Sequence, residues 1–210
     1  MPSCIAWLRH DLRLADNPAL VAASQSGLPV IPVYILDDET PGVRAPGGAS
    51  RWWLHHSLAA LDASLRAIGS RLVLRRGPAE AVLADLVRTC DAKAVHWNRL
   101  YEIAARERDA RIKQALTDGG VAASSHKANL LFEPWEVKTG AGDPFKVFTP
   151  FWRACRQLAP PDRPLSAPDR LAFLGEGAGA FLLVFAAVEP VDGRQAALGH
   201  QVEGLLHGEV

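Results

Sequence analysis

Short apolar runs recur along the first two-thirds of the chain and predict the strands of a buried sheet. Cys4 to Leu8 and Val30 to Leu36 lack the polar alternation of a half-exposed strand. Such runs are typical of parallel strands covered on both faces. Residues 72–74, 94–97 and 121–125 predict three further strands, so the pattern indicates five strands in all.

Helical signals separate the predicted strands. Asn17, followed by a proline, can cap a first helix that ends near Gly27. Ser50 is the predicted cap of a longer helix, and two more helices are expected over about 77–90 and 104–116. The apolar positions of the longer helix recur every three or four residues, at Leu54, Leu58, Leu61, Leu65 and Ile68.

This alternation predicts an α/β fold, a Rossmann-like doubly wound sheet of five parallel strands with helices on both faces. Sheets of this kind bind ligands beyond the carboxyl ends of their strands, where the strand order reverses. The loops that follow Leu8, Leu36 and Trp97 are therefore the expected ligand-binding loops.

The pattern changes after Lys127. Residues 133–144 predict an irregular, extended arm with a hairpin-like return, and residues 151–158 predict a short helix in an aromatic-rich segment. Four prolines mark a linker over 159–171, and residues 172–210 have weak periodicity, which predicts a tail of low order. The predicted organisation is thus one domain over 1–158, followed by the linker and the tail.

Charge and cysteine content narrow the expected partners and compartment. Lys plus Arg equals Asp plus Glu at 23 each, so no global field attracts a polyanion, and any contact with nucleic acid needs a local patch. Three widely spaced cysteines indicate reduced thiols, hence a cytoplasmic protein, and neither a disulfide framework nor a metal site. The late apolar run 178–188 is about half of the ~20 residues that span a membrane, so no membrane partner is expected.

Polar side chains cluster in the predicted ligand-binding loops. They can orient a planar, partly charged ligand in an apolar cleft, on whose rings Trp52, Trp53 and Tyr101 can stack. They are Arg9, His10 and Arg13 after the first strand, Asp37 after the second, and Asn98 and Glu102 after the fourth.

Plainer interpretations of some of these residues stay open. Arg13 can form a loop ion pair with Asp11 or Asp16, and the Trp52–Trp53 pair can serve packing alone. The charged run 106–111 is interpreted as a solvated helix face with local charge pairs.

Four segments, in order over residues 3 to about 158, resemble the antenna domain of DNA photolyases and cryptochromes. The first joins an aromatic strand end to an Arg-x-Asp-Leu-Arg motif and an Asp-Asn pair. The four segments are Trp7–Leu20, Ser50–Leu54, Trp97–Glu102 and Lys146–Trp152.

The resemblance implies a light-driven repair enzyme, a deoxyribodipyrimidine photo-lyase. In this family an N-terminal domain holds an antenna pigment (a folate, a deazaflavin or a flavin) and passes excitation to FAD in a helical C-terminal domain. That domain binds UV-damaged DNA and repairs cyclobutane pyrimidine dimers. No catalytic or metal-binding residue is expected in this chain. The predicted pigment-binding residues are Arg9, His10, Asp37, Arg51, Asn98 and Glu102.

Two departures from the family pattern limit what the resemblance implies. Ala104 and Ala105 stand where folate-binding members carry an Asn-Glu pair, and Leu100 stands where deazaflavin-binding members carry an acid. The pigment is therefore left open. Nothing after residue 172 resembles the FAD domain, which suggests a truncation or a frameshift and predicts that the 210 residues do not repair DNA.

Without an FAD domain to cover it, the aromatic segment 148–152 is expected to be exposed and to favour non-specific self-association.

Two alternative functions stay open. They are a cryptochrome-type photoreceptor module without repair, and a generic nucleotide-binding Rossmann-like domain.

Overall fold

The computed structural model describes residues 1–174, so the predicted tail over 172–210 lies outside the described residues except for its first three positions. Within them, strands and helices alternate as the sequence predicts. The elements are β1 (Ser3–Leu8), α1 (Pro18–Ser24), β2 (Val30–Leu36), α2 (Gly48–Ala67), β3 (Val73–Arg76), α3 (Ala79–Thr89), β4 (Ala92–Asn98), α4 (Ile103–Asp118), β5 (Ala122–His126) and α5 (Phe148–Cys155).

The five strands form one parallel sheet in the order β3-β2-β1-β4-β5. The chain builds outward from β1 through β2 to β3, then crosses to the other side of β1 for β4 and β5. The strand order thus reverses between β1 and β4, whose carboxyl ends are Leu8 and Asn98. The predicted α/β fold and its doubly wound sheet are confirmed.

Two apolar cores lie on opposite faces of this sheet. Leu83 and Leu86 of α3 pack with Ile112 of α4 on one face, whereas Leu20 of α1 packs with Leu61 of α2 on the other. All six residues of β1 are buried because both faces of this central strand are covered. The absence of polar alternation in its sequence follows from that position.

The two helix caps predicted from the sequence have different outcomes. Asn17 caps α1 as predicted, since its side-chain oxygen accepts a hydrogen bond from the Leu20 amide at 3.2 Å. The prediction of Ser50 as the cap of α2 is wrong, because this helix begins at Gly48 and its cap is Gly47, three residues before the predicted cap. Arg51 N–H already bonds to the Gly47 carbonyl at 2.9 Å, so Ser50 lies within the first turn.

The arm after β5 contains turns and no strand within the described residues. A tight turn closes at Thr139, whose N–H donates to the Asp143 carbonyl at 2.8 Å. Helix α5 begins at Phe148, three residues before the predicted start. Phe148 and Trp152 on it are exposed, with parallel rings 6.4 Å apart.

Residues 165–174 pack against the domain, and we call them the C-terminal strap. They comprise the end of the predicted linker and the first three residues of the predicted tail. The strap backbone bonds to three separate places, with Leu165 joined to Asp16, Leu171 to Ile68 and Ala172 to Val30. Leu171 and Leu174 are buried, one in each of the two cores. The strap therefore adds core residues from beyond position 158. None of the helices in residues 1–174 is both long and apolar enough to cross a bilayer.

Candidate functional site

A cleft of about 910 Å³ opens beside the point where the strand order reverses. Its wall combines the carboxyl ends of β1 and β2, one face of α2 and the start of α4. Of the predicted site residues, Arg9, His10, Asp37 and Glu102 line it. Arg51 and Asn98 are not among its lining residues.

Arg9 belongs to a buried chain of charges at the floor of the cleft. Its guanidinium donates to Asp109 Oδ2 at 2.5 Å and to the Asn98 carbonyl. Arg108 links Asp109 to Asp37, at 2.9 Å and 3.1 Å. Four charged side chains, from the loops after β1 and β2 and from α4, thus form one network with paired charges. A buried charge in this arrangement is stabilised by its partner and costs several kcal/mol when it is left alone.

Burial affects the two ends of this network in opposite ways. It lowers the pKa of the Arg9 guanidinium, and the neighbouring Asp109 carboxylate opposes that effect. For Asp37, burial alone would raise the pKa, but hydrogen bonds from Thr40, the Ala79 amide and Arg108 lower it below its ordinary value. The Asp37 carboxylate therefore stays ionised at neutral pH.

Asn98 holds the loop after β1 rather than facing the cleft. Its side-chain amide donates to Asp11 and, at 2.8 Å, to Asn17 Oδ1, and its oxygen accepts from the Ala19 amide at 3.0 Å. Asp11 also accepts from the Arg9 amide at 2.7 Å. The Asp-Asn and Arg-x-Asp motifs of the first matching segment thus fix the turn that carries Arg9 and His10. Residue order alone gave no signal of this orienting role.

The prediction of a solvated face over 106–111 is wrong for two residues. Arg108 and Asp109 are buried, whereas Arg106, Glu107 and Arg111 are exposed. The reason is the helical spacing of the buried positions in α4, which lie three or four residues apart at 105, 108, 109, 112 and 116. That spacing was the signal in the sequence from which the burial of Arg108 and Asp109 could have been predicted.

Arg13 has loop contacts of the kind that the plainer interpretation proposed. Its Nη2 lies 3.9 Å from Asp16 Oδ2, and its Nε donates to the Asp16 carbonyl at 3.1 Å. Arg51 lies near the cleft but turns to the loop after β2. It donates to the Pro46 carbonyl at 3.0 Å and lies 3.6 Å from Asp38. Its contacts position the loop wall of the cleft.

The three aromatic side chains considered for ring stacking lie in different places. Trp53, 70% exposed, lines the cleft, whereas Trp52 packs edge-on against His56 with ring centroids 4.4 Å apart. Tyr101 lies in a second, smaller pocket of about 500 Å³ between α4 and the arm. One aromatic platform of the three therefore faces the cleft.

Trp7 is the aromatic floor of the cleft. The Arg9 guanidinium lies 4.4 Å from its ring centroid and that of Arg108 lies 5.0 Å away, which favours both cations over the ring face. Its indole Nε1 is buried without a hydrogen-bond partner among the described residues. The contribution of Trp7 to the lining of the cleft is therefore its ring, over which the two guanidinium groups lie.

Ala104 and Ala105, at the positions where the sequence departs from the folate pattern, both line the cleft. Gly42 adopts a φ of +78°, and a Cβ placed on it would lie 3.1 Å from the Ala104 Cβ. The glycine at position 42 thus allows the loop after β2 to approach α4 closely.

Comparison with known proteins agrees with the family resemblance of the four sequence segments. The family model for DNA photolyase matches residues 4–169. The chain is 47% identical over 167 residues to the deoxyribodipyrimidine photo-lyase of Agrobacterium fabrum, and 43% identical over 169 residues to cryptochrome-1 of Arabidopsis thaliana. Each match covers 80% of this chain, but 34% and 25% of the respective relative.

A solved structure agrees with these sequence matches. A bacterial class III photolyase from Agrobacterium tumefaciens superposes with a TM-score of 0.77 at 45% identity, over 82% of this chain and 35% of that one. The chain therefore spans about a third of the length of these photolyases. The sheet order, the first-strand motif and the family match agree, and the chain belongs to the DNA photolyase family.

Proposed function

We propose that the cleft holds an antenna pigment, a planar chromophore that absorbs near-ultraviolet or blue light. The observation that carries this proposal is a ligand-sized cleft at the β1–β4 reversal, with Trp53 on its wall and Trp7 in its floor. His10 and Glu102 add exposed polar side chains to the lining of the same cleft. A folate, a deazaflavin and a flavin all have the required planar, polar-edged ring system.

For the protein as a whole, we infer the activity of a deoxyribodipyrimidine photo-lyase. The inference rests on the family and on the Agrobacterium fabrum relative that bears this name. In that reaction FAD supplies the electron that splits the dimer, and the antenna domain delivers excitation to it. UV-damaged DNA is then the macromolecular partner, bound through a domain other than this one, in the cytoplasm.

The absorption spectrum of the purified 210-residue chain tests the pigment proposal. We expect a near-ultraviolet or blue band, either as purified or after incubation with a folate, a deazaflavin and a flavin in turn. Trp53→Ala should weaken retention of the pigment about tenfold because a stacked ring is worth ~1–3 kcal/mol. Trp52→Ala, the matched control outside the cleft, should leave retention unchanged. A protein that binds none of the three pigments contradicts the proposal.

A repair assay tests the division of labour between domains. We expect the chain, supplied with FAD and blue light, to leave thymine dimers in an oligonucleotide intact, since it spans about a third of its photolyase relatives. The Agrobacterium fabrum enzyme serves as the positive control. Dimer loss above the rate without protein would overturn this expectation.

A cryptochrome-type photoreceptor is the second candidate. It is favoured by the 43% identity to cryptochrome-1, which is close to the 47% identity to the photo-lyase. Binding of lesion-bearing DNA by a chain extended with the downstream genomic sequence separates the two, because repair requires it and signalling does not. A generic nucleotide-binding domain, the third candidate, would bind a free nucleotide and no light-absorbing pigment.

A further inference from the structure

Two histidines on neighbouring strands face each other near the carboxyl end of the sheet. His96 Nδ1 of β4 lies 3.1 Å from His126 Nε2 of β5, and the ring centroids are 5.3 Å apart. The parallel pairing of the two strands places Ser124 opposite His96 and Asn98 opposite His126. The strand register therefore creates this contact between residues 30 positions apart, and no local spacing in the sequence indicated it.

The two rings lie half-buried on the face of the sheet that α1 and α2 cover. Ala94, two positions before His96, packs with that core, and alternate residues of a strand point to the same face. Within residues 1–174 each ring has only the other as a hydrogen-bonding partner. The outer nitrogens, His96 Nε2 and His126 Nδ1, are not among the buried unpartnered atoms, so they can exchange protons with water.

Both imidazoles are uncharged at neutral pH. Burial lowers the pKa of His96, and burial together with the charges of His96, Arg99 and Lys113 lowers the pKa of His126 to about 4. A neutral imidazole carries a proton on one nitrogen and a lone pair on the other. Of the two neighbouring cations, Arg99 is compensated by Glu133 at 2.6 Å, so Lys113 is the charge that opposes a bound cation.

We propose that His96 and His126 form a bidentate site for a divalent transition-metal ion of the class of Cu²⁺ and Zn²⁺. Imidazole nitrogen is a preferred ligand of these ions. An ion bonded to both facing nitrogens at about 2.0–2.1 Å would have an N–metal–N angle of about 100°, since the nitrogens are 3.1 Å apart. That angle lies between the square-planar and the tetrahedral values, so one ion fits between the rings without strand movement.

Coordination balances in protons and in ligand number. The ring that now donates across the contact transfers its proton to its outer nitrogen, so both facing nitrogens offer lone pairs and no proton is lost. The described residues contain no group of three or more His, Cys, Asp or Glu side chains that could hold a metal, so water completes the coordination. The ion would join β4 to the edge strand β5. The proposal does not depend on a pigment in the cleft.

Thermal unfolding of the 210-residue chain with added metal tests the site. A ligand that binds the folded state raises the melting temperature, and we expect a rise of about 3–6 °C at a Cu²⁺ concentration ten times the dissociation constant. Zn²⁺ should raise it less at the same concentration, since nitrogen ligands bind Cu²⁺ more tightly. Mg²⁺, which prefers oxygen ligands, should leave the melting temperature unchanged.

Two variants and a matched control locate the effect. His96→Asn and His126→Asn each remove one ligand, and each should lose most of the rise, measured from the variant's own metal-free melting temperature. His55→Asn should keep it. His55 and His56 have ring centroids 5.3 Å apart as well, but their planes are at 85° and no contact joins their nitrogens in the described chain. The N-terminal amine and the histidines of the tail are present in every variant, so metal bound there cancels in the comparison.

Electron paramagnetic resonance with one equivalent of Cu²⁺ distinguishes ligation from a general effect on stability. We expect hyperfine structure from two coordinated imidazoles, and from one in each ligand variant. The proposal is wrong if Cu²⁺ does not raise the melting temperature, if His96→Asn and His126→Asn retain the rise, or if His55→Asn loses as much as they do. None of these results bears on the pigment, whose absorption band is measured separately.

Discussion

At the scale of single residues, the cleft depends on charged groups that are far apart in the sequence. Arg9 and Asp109 are 100 positions apart, yet their side chains meet at 2.5 Å. The sequence predicted that Arg9 and Asp37 lie at strand ends, because parallel strands place their carboxyl ends at one edge. It could not predict their partners, since a long-range ion pair leaves no periodic signal.

Arg9→Met should destabilise the domain by about 3–5 kcal/mol, because it leaves the buried Asp109 carboxylate with one partner fewer. The control Arg88→Met removes an exposed ion pair with Asp85 and should cost less than about 1 kcal/mol. Urea unfolding of both variants measures the difference. If adding Asp109→Asn to Arg9→Met gives strictly additive costs, the two side chains are not coupled and the network is wrongly assigned.

At the scale of elements, local signals located the strands and helices well and their ends less well. Asn17 caps α1 as predicted because capping is a local hydrogen bond. The start of α2 was missed because Gly47 has no capping side chain, whereas Ser50 is a strong but unused cap residue. Residues 165–171 of the strap were predicted as part of a linker from the prolines of 159–171, and residues 172–174 as the start of a tail of low order. The burial of the strap is decided by Leu171 and Leu174, which join cores built from residues far earlier in the chain.

Leu171→Ala in the strap should destabilise the domain by about 2–5 kcal/mol, the usual cost of removing a buried leucine side chain. For a domain of this size that lowers the melting temperature by roughly 2–4 °C per kcal/mol. Leu165→Ala in the same strap removes a side chain that is 40% exposed, and should cost about 0.5 kcal/mol or less. Equal losses in the two variants would mean that the strap does not contribute to the core. Thermal unfolding by circular dichroism measures both.

At the scale of the whole molecule, the alternating pattern was enough to predict the sheet, its two covered faces and the edge that carries the cleft. The identity of the pigment was not predictable, because ring stacking and charge compensation depend on which side chains meet. Trp52 and Trp53 are neighbours in sequence, but one of them lines the cleft. Only the assembled sheet distinguishes them.

The strap also sets the order in which the domain can be completed during synthesis. A ribosome releases the chain from its N-terminus, so β1 to β5 can pair once His126 has emerged. At that moment the core beside α1 and α2 still lacks Leu171. The hydrogen bond from the Leu165 amide to Asp16 cannot form either, because Leu165 lies 149 residues after Asp16. Such distant contacts slow folding because a large loop must close before they stabilise anything. We therefore expect a nascent chain stalled before the strap to have a paired sheet but an incompletely packed core beside α1 and α2.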